Sequence, residues 1–220
     1  MFCGLMNLLV LDMDGVLLDC RSSWQELHKM IGVDNTKNRE LYYSNSISYC
    51  EFMKKDLMLW IDLFHHLKAS YIYELGLKIK RMEGMEELHN WIKVHTEVKV
   101  IIITGGLYLV ATPFVGYIAE QAFANHLETD NAGYLTGECK VVSNPFTKGE
   151  TLSNYIKSIK PMKFEKIISV GDGEVDISMF DMSNISIAFN PENEKVEKFS
   201  MYTIKEKNLI KLVELLNKIV

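Results

Sequence analysis

The chain lacks the features that would place it in several large protein classes. Its four cysteines, Cys3, Cys20, Cys50 and Cys139, are scattered through 220 residues, with no CxxC pair and no metal-ligand spacing. That argues against a disulfide scaffold and predicts reduced thiols in a cytoplasmic protein. The six histidines are equally dispersed, and the adjacent His65 and His66 have no spacing partner, so a zinc site is not expected. There is no basic excess: 24 Lys and Arg stand against 29 Asp and Glu, for a net charge of −5. Nucleic acid is therefore not expected as a partner. No apolar run approaches the length of a membrane span, so no membrane partner is expected either. The opening "MFCGLMNLLVL" has no basic flank and runs straight into an acidic motif, which predicts a strand rather than a signal peptide. Repeats and low-complexity tracts are also missing.

What is present reads as a folded α/β protein. The apolar runs in "LLVLDMDG", "VKVIIITGG", "KIISVGDG" and "ISIAFNP" do not alternate with polar residues, as expected of strands covered on both faces. Helical patterns lie between them: "MEELHNWIKVH", "LYLVATPFVGYIAEQAF", "TKGETLSNYIKSI" and "EKNLIKLVELLNKIV". In the last, Leu209, Leu212, Val213, Leu216 and Ile219 share one face. This alternation predicts a doubly wound, Rossmann-like parallel sheet. Residues 20–82 break the rhythm with aromatic-rich helices, including a Trp60, Leu63, Phe64, Leu67 stripe read as core. They predict a helical cap domain of residues 20–82 inserted into a core of residues 1–19 and 83–220. A small β-hairpin is expected at 131–142, "NAGYLTGECKVV", and a solvated charged helix at "PENEKVEKF".

Chemistry concentrates at the predicted strand ends, where open α/β sheets bind ligands. The first strand ends in Asp12 and Asp14, the second in Thr104, Gly105 and Gly106, and the third in Asp172 and Asp176. Lys148 lies at a predicted helix start, where Thr147 and Glu150 could form a capping box. Oxygen-rich acids suit Mg²⁺ shared with a phosphate. A carboxylate can attack phosphorus to form an acyl phosphate, and a second can serve as general acid and base. Thr104, the Gly105 amide and Lys148 suit phosphate oxygens. Asp172 is also expected to cap the short helix that follows it.

The ordered motifs "DMDGVL", "IIITGG", "TKGE" and "GDGEVDISMF" resemble those of the haloacid dehalogenase superfamily in its phosphatase branch. With "AFANHLETDNAGYLTGE", the resemblance is to the phosphoserine phosphatase group, whose helical cap follows the first motif. It implies Asp12 as nucleophile and metal ligand, and Asp14 as acid/base that lends its carbonyl to the metal. It also implies Thr104 and Gly105 at the phosphate, Lys148 as motif lysine, Asp172 as direct ligand to Mg²⁺, and Asp176 holding its waters or Lys148. Three positions depart from that pattern. Gly15 stands where Ser is common, Val175 where Asn is usual, and Arg21 where a Glu would meet the substrate amine. Lys54, Lys55 and Asp56 occupy the region where the cap arginine would be sought. Arg21 is thus a specificity candidate, favouring a small phosphorylated metabolite with an extra anionic or hydroxyl group. Transfer to a hydroxyl acceptor, as in a mutase, and a phosphate-responsive switch remain as alternatives, and the chain is expected to be a monomer or homodimer. Asp19 is read as surface or cap hinge.

Overall fold

The structure, a computed structural model, describes residues 6–220; Cys3 lies outside them. Seven strands form one sheet: β1 (Met6–Leu11), β2 (Val98–Leu107), β3 (Gln121–Thr129), β4 (Leu135–Lys140), β5 (Phe164–Gly171), β6 (Ile185–Phe189) and β7 (Tyr202–Ile204). Their order is β4-β3-β2-β1-β5-β6-β7, parallel except for the β3–β4 pair. This is the doubly wound α/β architecture, with β1 at the centre between β2 and β5. The unbroken apolar run of β1 follows from that position. Leu9 and Leu11 join the larger core on one face, while Leu8 and Val10 pack with Ile101, Ile103, Leu152 and Met179 on the other. All four are fully buried, so both phases of the strand must be apolar.

Four of the five helices between β1 and β2 fall within residues 20–82: α1 (Ser23–Ile31), α2 (Thr36–Tyr43), α3 (Tyr49–Phe64) and α4 (Ala69–Lys78). Ser22 caps α1 by accepting from the Gln25 amide, and Ser48 with Glu51 forms a capping box on α3. A buried polar network ties three of these helices together. The Trp60 indole donates to His28 Nδ1 (2.8 Å), so His28 donates through Nε2 to Asp56 Oδ2 (3.0 Å). Asn35 and Asn38 donate to the same carboxylate, each at 2.8 Å. A buried acid with this many donors stays satisfied without a cation.

The chain enters and leaves this insertion side by side. The Asp19 amide donates to Lys80 O, and the Met82 amide to Leu17 O. Asp19 pairs with Lys80 and Lys207 across the same junction. The helices also rest on the hairpin: the Ala69 amide donates to Gly133 O, Leu135 to Leu67 O, and Lys54 pairs with Glu138. Cys50 lies against Cys139 there. Burial and that neighbour push the Cys139 thiol up to about 11, as expected for an inert thiol.

The remaining helices are α5 (Met85–Val94), α6 (Tyr108–Ala111), α7 (Lys148–Ser158), α8 (Ile177–Phe180), α9 (Glu194–Lys198) and α10 (Leu209–Ile219). α10 buries Leu209, Leu212 and Leu216, and Trp91 of α5 donates to Asn217 (2.8 Å). No helix among the described residues is long and apolar enough to cross a membrane.

The long helix expected from Leu107 to Phe123 does not form. β2 continues to Leu107, α6 lasts one turn, a 3₁₀ turn follows at Thr112–Phe114, and β3 starts at Gln121. Pro113 opens that turn, and Gly116 at φ 81° reverses the chain. Ala-rich β3 is recruited by pairing with β2, which overrides its helical propensity. The hairpin therefore begins upstream of residue 131, since β4 pairs back on β3. In the α3 stripe Trp60 and Leu67 are buried, but Leu63 and Phe64 are 52% and 40% exposed.

Candidate active site

The carboxyl ends of β1, β2 and β5 converge on one cavity, bounded on its other side by α1, α2 and α3. Asp12 leaves β1 with its amide bonded to Val170 O (2.9 Å). Its Oδ1 accepts from the Met13 amide and from Lys148 Nζ, both at 2.8 Å. Oδ2 has no hydrogen bond among the described residues. Asp14 is held through Oδ2, which accepts from the amide (2.9 Å) and hydroxyl (3.0 Å) of Ser23. Its Oδ1 is buried without a partner among the described residues. Gly15 turns the chain at φ 74°, and a Cβ there would lie 2.0 Å from Asp172 Oδ2. A serine here would be strained at that φ and would require the Asp172 carboxylate to move.

Lys148 is only 2% exposed and bridges Asp12 and Asp176 (2.6 Å). Asp176 gives its other oxygen to the amides of Asp172 (2.9 Å) and Gly173 (3.0 Å). It is saturated by protein, which suits positioning Lys148 better than direct coordination. The capping box predicted for α7 is not formed: Thr147 makes no side-chain cap, and Asn144 instead caps the preceding turn through the Phe146 amide. Asp172 does not cap a helix either. Its carboxylate pairs with Arg21, which also donates to Asn190 O (2.9 Å). At the end of β2, Thr104 Oγ1 accepts from the Gly106 amide (3.0 Å), leaving its own proton free to donate.

Carboxylate oxygens of Asp12, Asp172 and Asp176 lie within 4.8 Å of one another and are buried. With Asp14, four acids stand around only two cations, Lys148 and Arg21, a surplus of acidic groups. A divalent, oxygen-preferring cation fits that surplus and donor set. The titration shifts agree. Burial, and then the Asp176 charge, raise Asp12 well above the usual carboxylate range against the opposing pull of Lys148. Burial raises Asp14 despite the Ser23 hydrogen bonds. Burial and Asp176 push Asp172 up to about 7. Burial alone would lower Lys148, but Asp12 and Asp176 outweigh it and hold the ammonium charged.

Two outcomes follow. A raised carboxylate stabilises the fold below its unfolded pKa, and that contribution is lost as pH rises through the folded value. Metal-free Asp172→Asn protein should therefore gain on the native chain between about pH 4 and pH 7, by about 4 kcal/mol at pH 8 relative to its standing at about pH 3, measured by urea unfolding. Lys148→Met strands two buried acids and should cost about 3 kcal/mol at pH 8, with a smaller loss in acid, read from thermal midpoints.

Sequence reasoning missed several groups here. Asn125, fully buried on β3, donates to Gly105 O (2.9 Å) and Ser143 O (3.0 Å) and accepts from the Val142 and Ser143 amides. Tyr49 of α3 donates to the same Gly105 carbonyl (2.7 Å), joining α3 to the end of β2. Neither has a spacing signal; only the fold brings them to Gly105. Beside Arg21, the cavity receives a second cation from residues 20–82, Arg39 of α2. Lys54 and Lys55 do not line it, and Asp56 is buried with His28.

Comparison with known proteins agrees with this arrangement. Residues 117–209 match the family model of haloacid dehalogenase-like hydrolases. A phosphoserine phosphatase of Lactococcus lactis subsp. lactis is 26% identical across 97% of this chain and 96% of its own. One from Methanocaldococcus jannaschii is 29% identical across 83% and 85%. That of Campylobacter jejuni subsp. doylei is 29% identical, over 59% of this chain and 62% of its own length. A solved phosphoserine phosphatase, captured as a phospho-aspartyl intermediate analogue, superposes with a TM-score of 0.73 at 23% identity, covering 96% and 98%. These likenesses are to haloacid dehalogenase-like hydrolases. The relatives and the solved structure that cover most of the chain are phosphoserine phosphatases.

Proposed function

We propose that the protein is a Mg²⁺-dependent phosphomonoester hydrolase that works through an aspartyl phosphate on Asp12. The observation that carries this reading is Lys148, buried between Asp12 and Asp176 in a cavity that also receives Asp14. The Met13 amide and Lys148 both hold Oδ1 of Asp12, so Oδ2 is the oxygen left to attack phosphorus. Thr104 donates its free proton to a phosphoryl oxygen, and the loop amide of Gly105 serves the same group. Asp14, whose pKa burial raises, gives a proton to the leaving oxygen and then takes one from the attacking water. Asp12, Asp172 and the Asp14 carbonyl would hold the cation, with Asp176 orienting the cluster. When bound, Mg²⁺ offsets the charge of the phosphoryl group and its surrounding carboxylates.

The cap helices close one side of the cavity, which favours a small phosphorylated metabolite over a macromolecule. The test is phosphate release with Mg²⁺ and after chelation, followed by acid quench and peptide mapping. Release that needs the cation, and a phosphoryl group on the peptide carrying Asp12, are the expected results. Release that survives chelation, or a label on another residue, would refute the assignment.

A further inference from the structure

Beyond the phosphate end, the cavity has a wall that the reaction does not use. It encloses about 460 Å³, within the range that holds drug-sized ligands, so it has room beyond a phosphate and a short aliphatic stub. Aromatic rings supply much of that wall. Tyr42 stacks on Phe52 with centroids 4.9 Å apart and planes 8° from parallel, which fixes its orientation. Phe146, from the loop before α7, approaches Tyr42 at 6.1 Å. Tyr43 and Phe146 are 64% and 52% exposed, large ring faces left in solvent at the edge of the cavity.

The charge of the wall is one-sided. Arg39 lines it, and its guanidinium has no hydrogen bond or ion pair among the described residues. Asp34, the nearby acid on the same stretch, accepts from the amide (3.0 Å) and hydroxyl (2.6 Å) of Thr36 through Oδ1 and forms no ion pair with Arg39. No acid of the cap lines the cavity; its acids are Asp12, Asp14, Asp172 and Glu192, all from strand-end loops of the core. Glu192 is itself engaged by the Glu174 amide (2.8 Å). A ring-lined site can hold a quaternary ammonium, but a free arginine in the wall opposes a cationic body. A flat ring carrying a negative group satisfies both features, since rings stack and Arg forks onto carboxylate or phosphate.

We infer that the substrate is a phosphomonoester with a planar aromatic or heteroaromatic body and a second anionic group, with Arg39 and the Tyr43–Phe146 faces as its specificity determinants. This rests on the phosphomonoester reading above. The probes are 4-carboxybenzyl phosphate, benzyl phosphate, phosphoglycolate and phosphoserine, all alkyl esters, so leaving-group activation does not dominate the ranking. The expected kcat/KM for 4-carboxybenzyl phosphate exceeds that of each of the other three by about tenfold or more. Arg39→Gln should bring its preference over benzyl phosphate towards one, and Tyr43→Leu should erode its preference over phosphoglycolate. Both residues are exposed, so neither change threatens folding. Phosphoserine or phosphoglycolate ranking first, or preferences indifferent to both substitutions, would overturn the inference. If no ester is hydrolysed, titration calorimetry of 4-carboxybenzyl phosphate separates the two ideas. Binding weakened by Arg39→Gln keeps the pocket assignment and removes the hydrolase reading; no binding removes both.

Discussion

Asp12→Asn should lower phosphate release from every ester by about 10⁴-fold or more, because no other group can take over a covalent step. The substitution is close to isosteric. Asn still accepts from the Met13 amide through its carbonyl, and Lys148 keeps Asp176 at 2.6 Å. It also deletes a carboxylate that burial and Asp176 make costly to ionise. The variant should therefore be at least as stable as the native chain at pH 8 without metal, while the native chain recovers ground in Mg²⁺. That pairing separates a nucleophile from a structural acid: a purely structural Asp12 would lose stability and activity together. Single-turnover phosphate release and thermal unfolding, run on one preparation, decide between them. Residual activity within tenfold of native would rule out Asp12 as the attacking group.

The core was legible because its signals are local. Leu8–Leu11 and Val100–Ile103 are unbroken apolar runs that only a doubly covered strand needs, and each ends in the polar turn that carries its chemistry. Asp12, Asp14, Thr104, Lys148 and Asp172 could be named from order along the chain, and the fold brings all five to one cavity. What stayed hidden depends on pairing between distant segments. β3 is a strand because β2 lies beside it, not because of its own residues. Asn125 and Tyr49 matter through one carbonyl, Gly105 O, that lies far from both in sequence. Arg39 sits on α2, a helix too polar to produce an apolar stripe, with no buried residue at all. Counting along α3 for the cap cation led instead to Lys54, whose charge is spent on Glu138 of the hairpin.

Arg21 shows how sequence position and structural partner can point in different directions. From its place after the first motif it reads as a substrate contact, and it does line the cavity. Its guanidinium is engaged by Asp172 and Asn190 O, so it also tempers the charge of an acid expected to meet the cation. Arg39, with no such partner, is the freer of the two to receive an anionic substrate group.

Asp14→Asn should cost about 10²- to 10⁴-fold in turnover of alkyl phosphates, and the size of the loss should depend on the leaving group. The geometry gives the reason. Ser23 grips Oδ2 with its amide and hydroxyl, so the acid cannot turn, and the buried Oδ1 has no partner among the described residues. Burial raises its pKa, a shift in the direction that favours a general acid. An aryl leaving group departs with little help, so phenyl phosphate should suffer less than benzyl phosphate in the first half-reaction. The second half-reaction removes that advantage. With no base to activate water, the phosphoryl group on Asp12 should persist, and phenyl phosphate should give a burst of phenol followed by slow turnover. Rapid-quench measurement of phenol and phosphate together tests this. A burst of phenol without matching phosphate places Asp14 in both half-reactions. Equal losses for the two esters with no burst would remove it from proton transfer and leave it a positioning residue for Asp12.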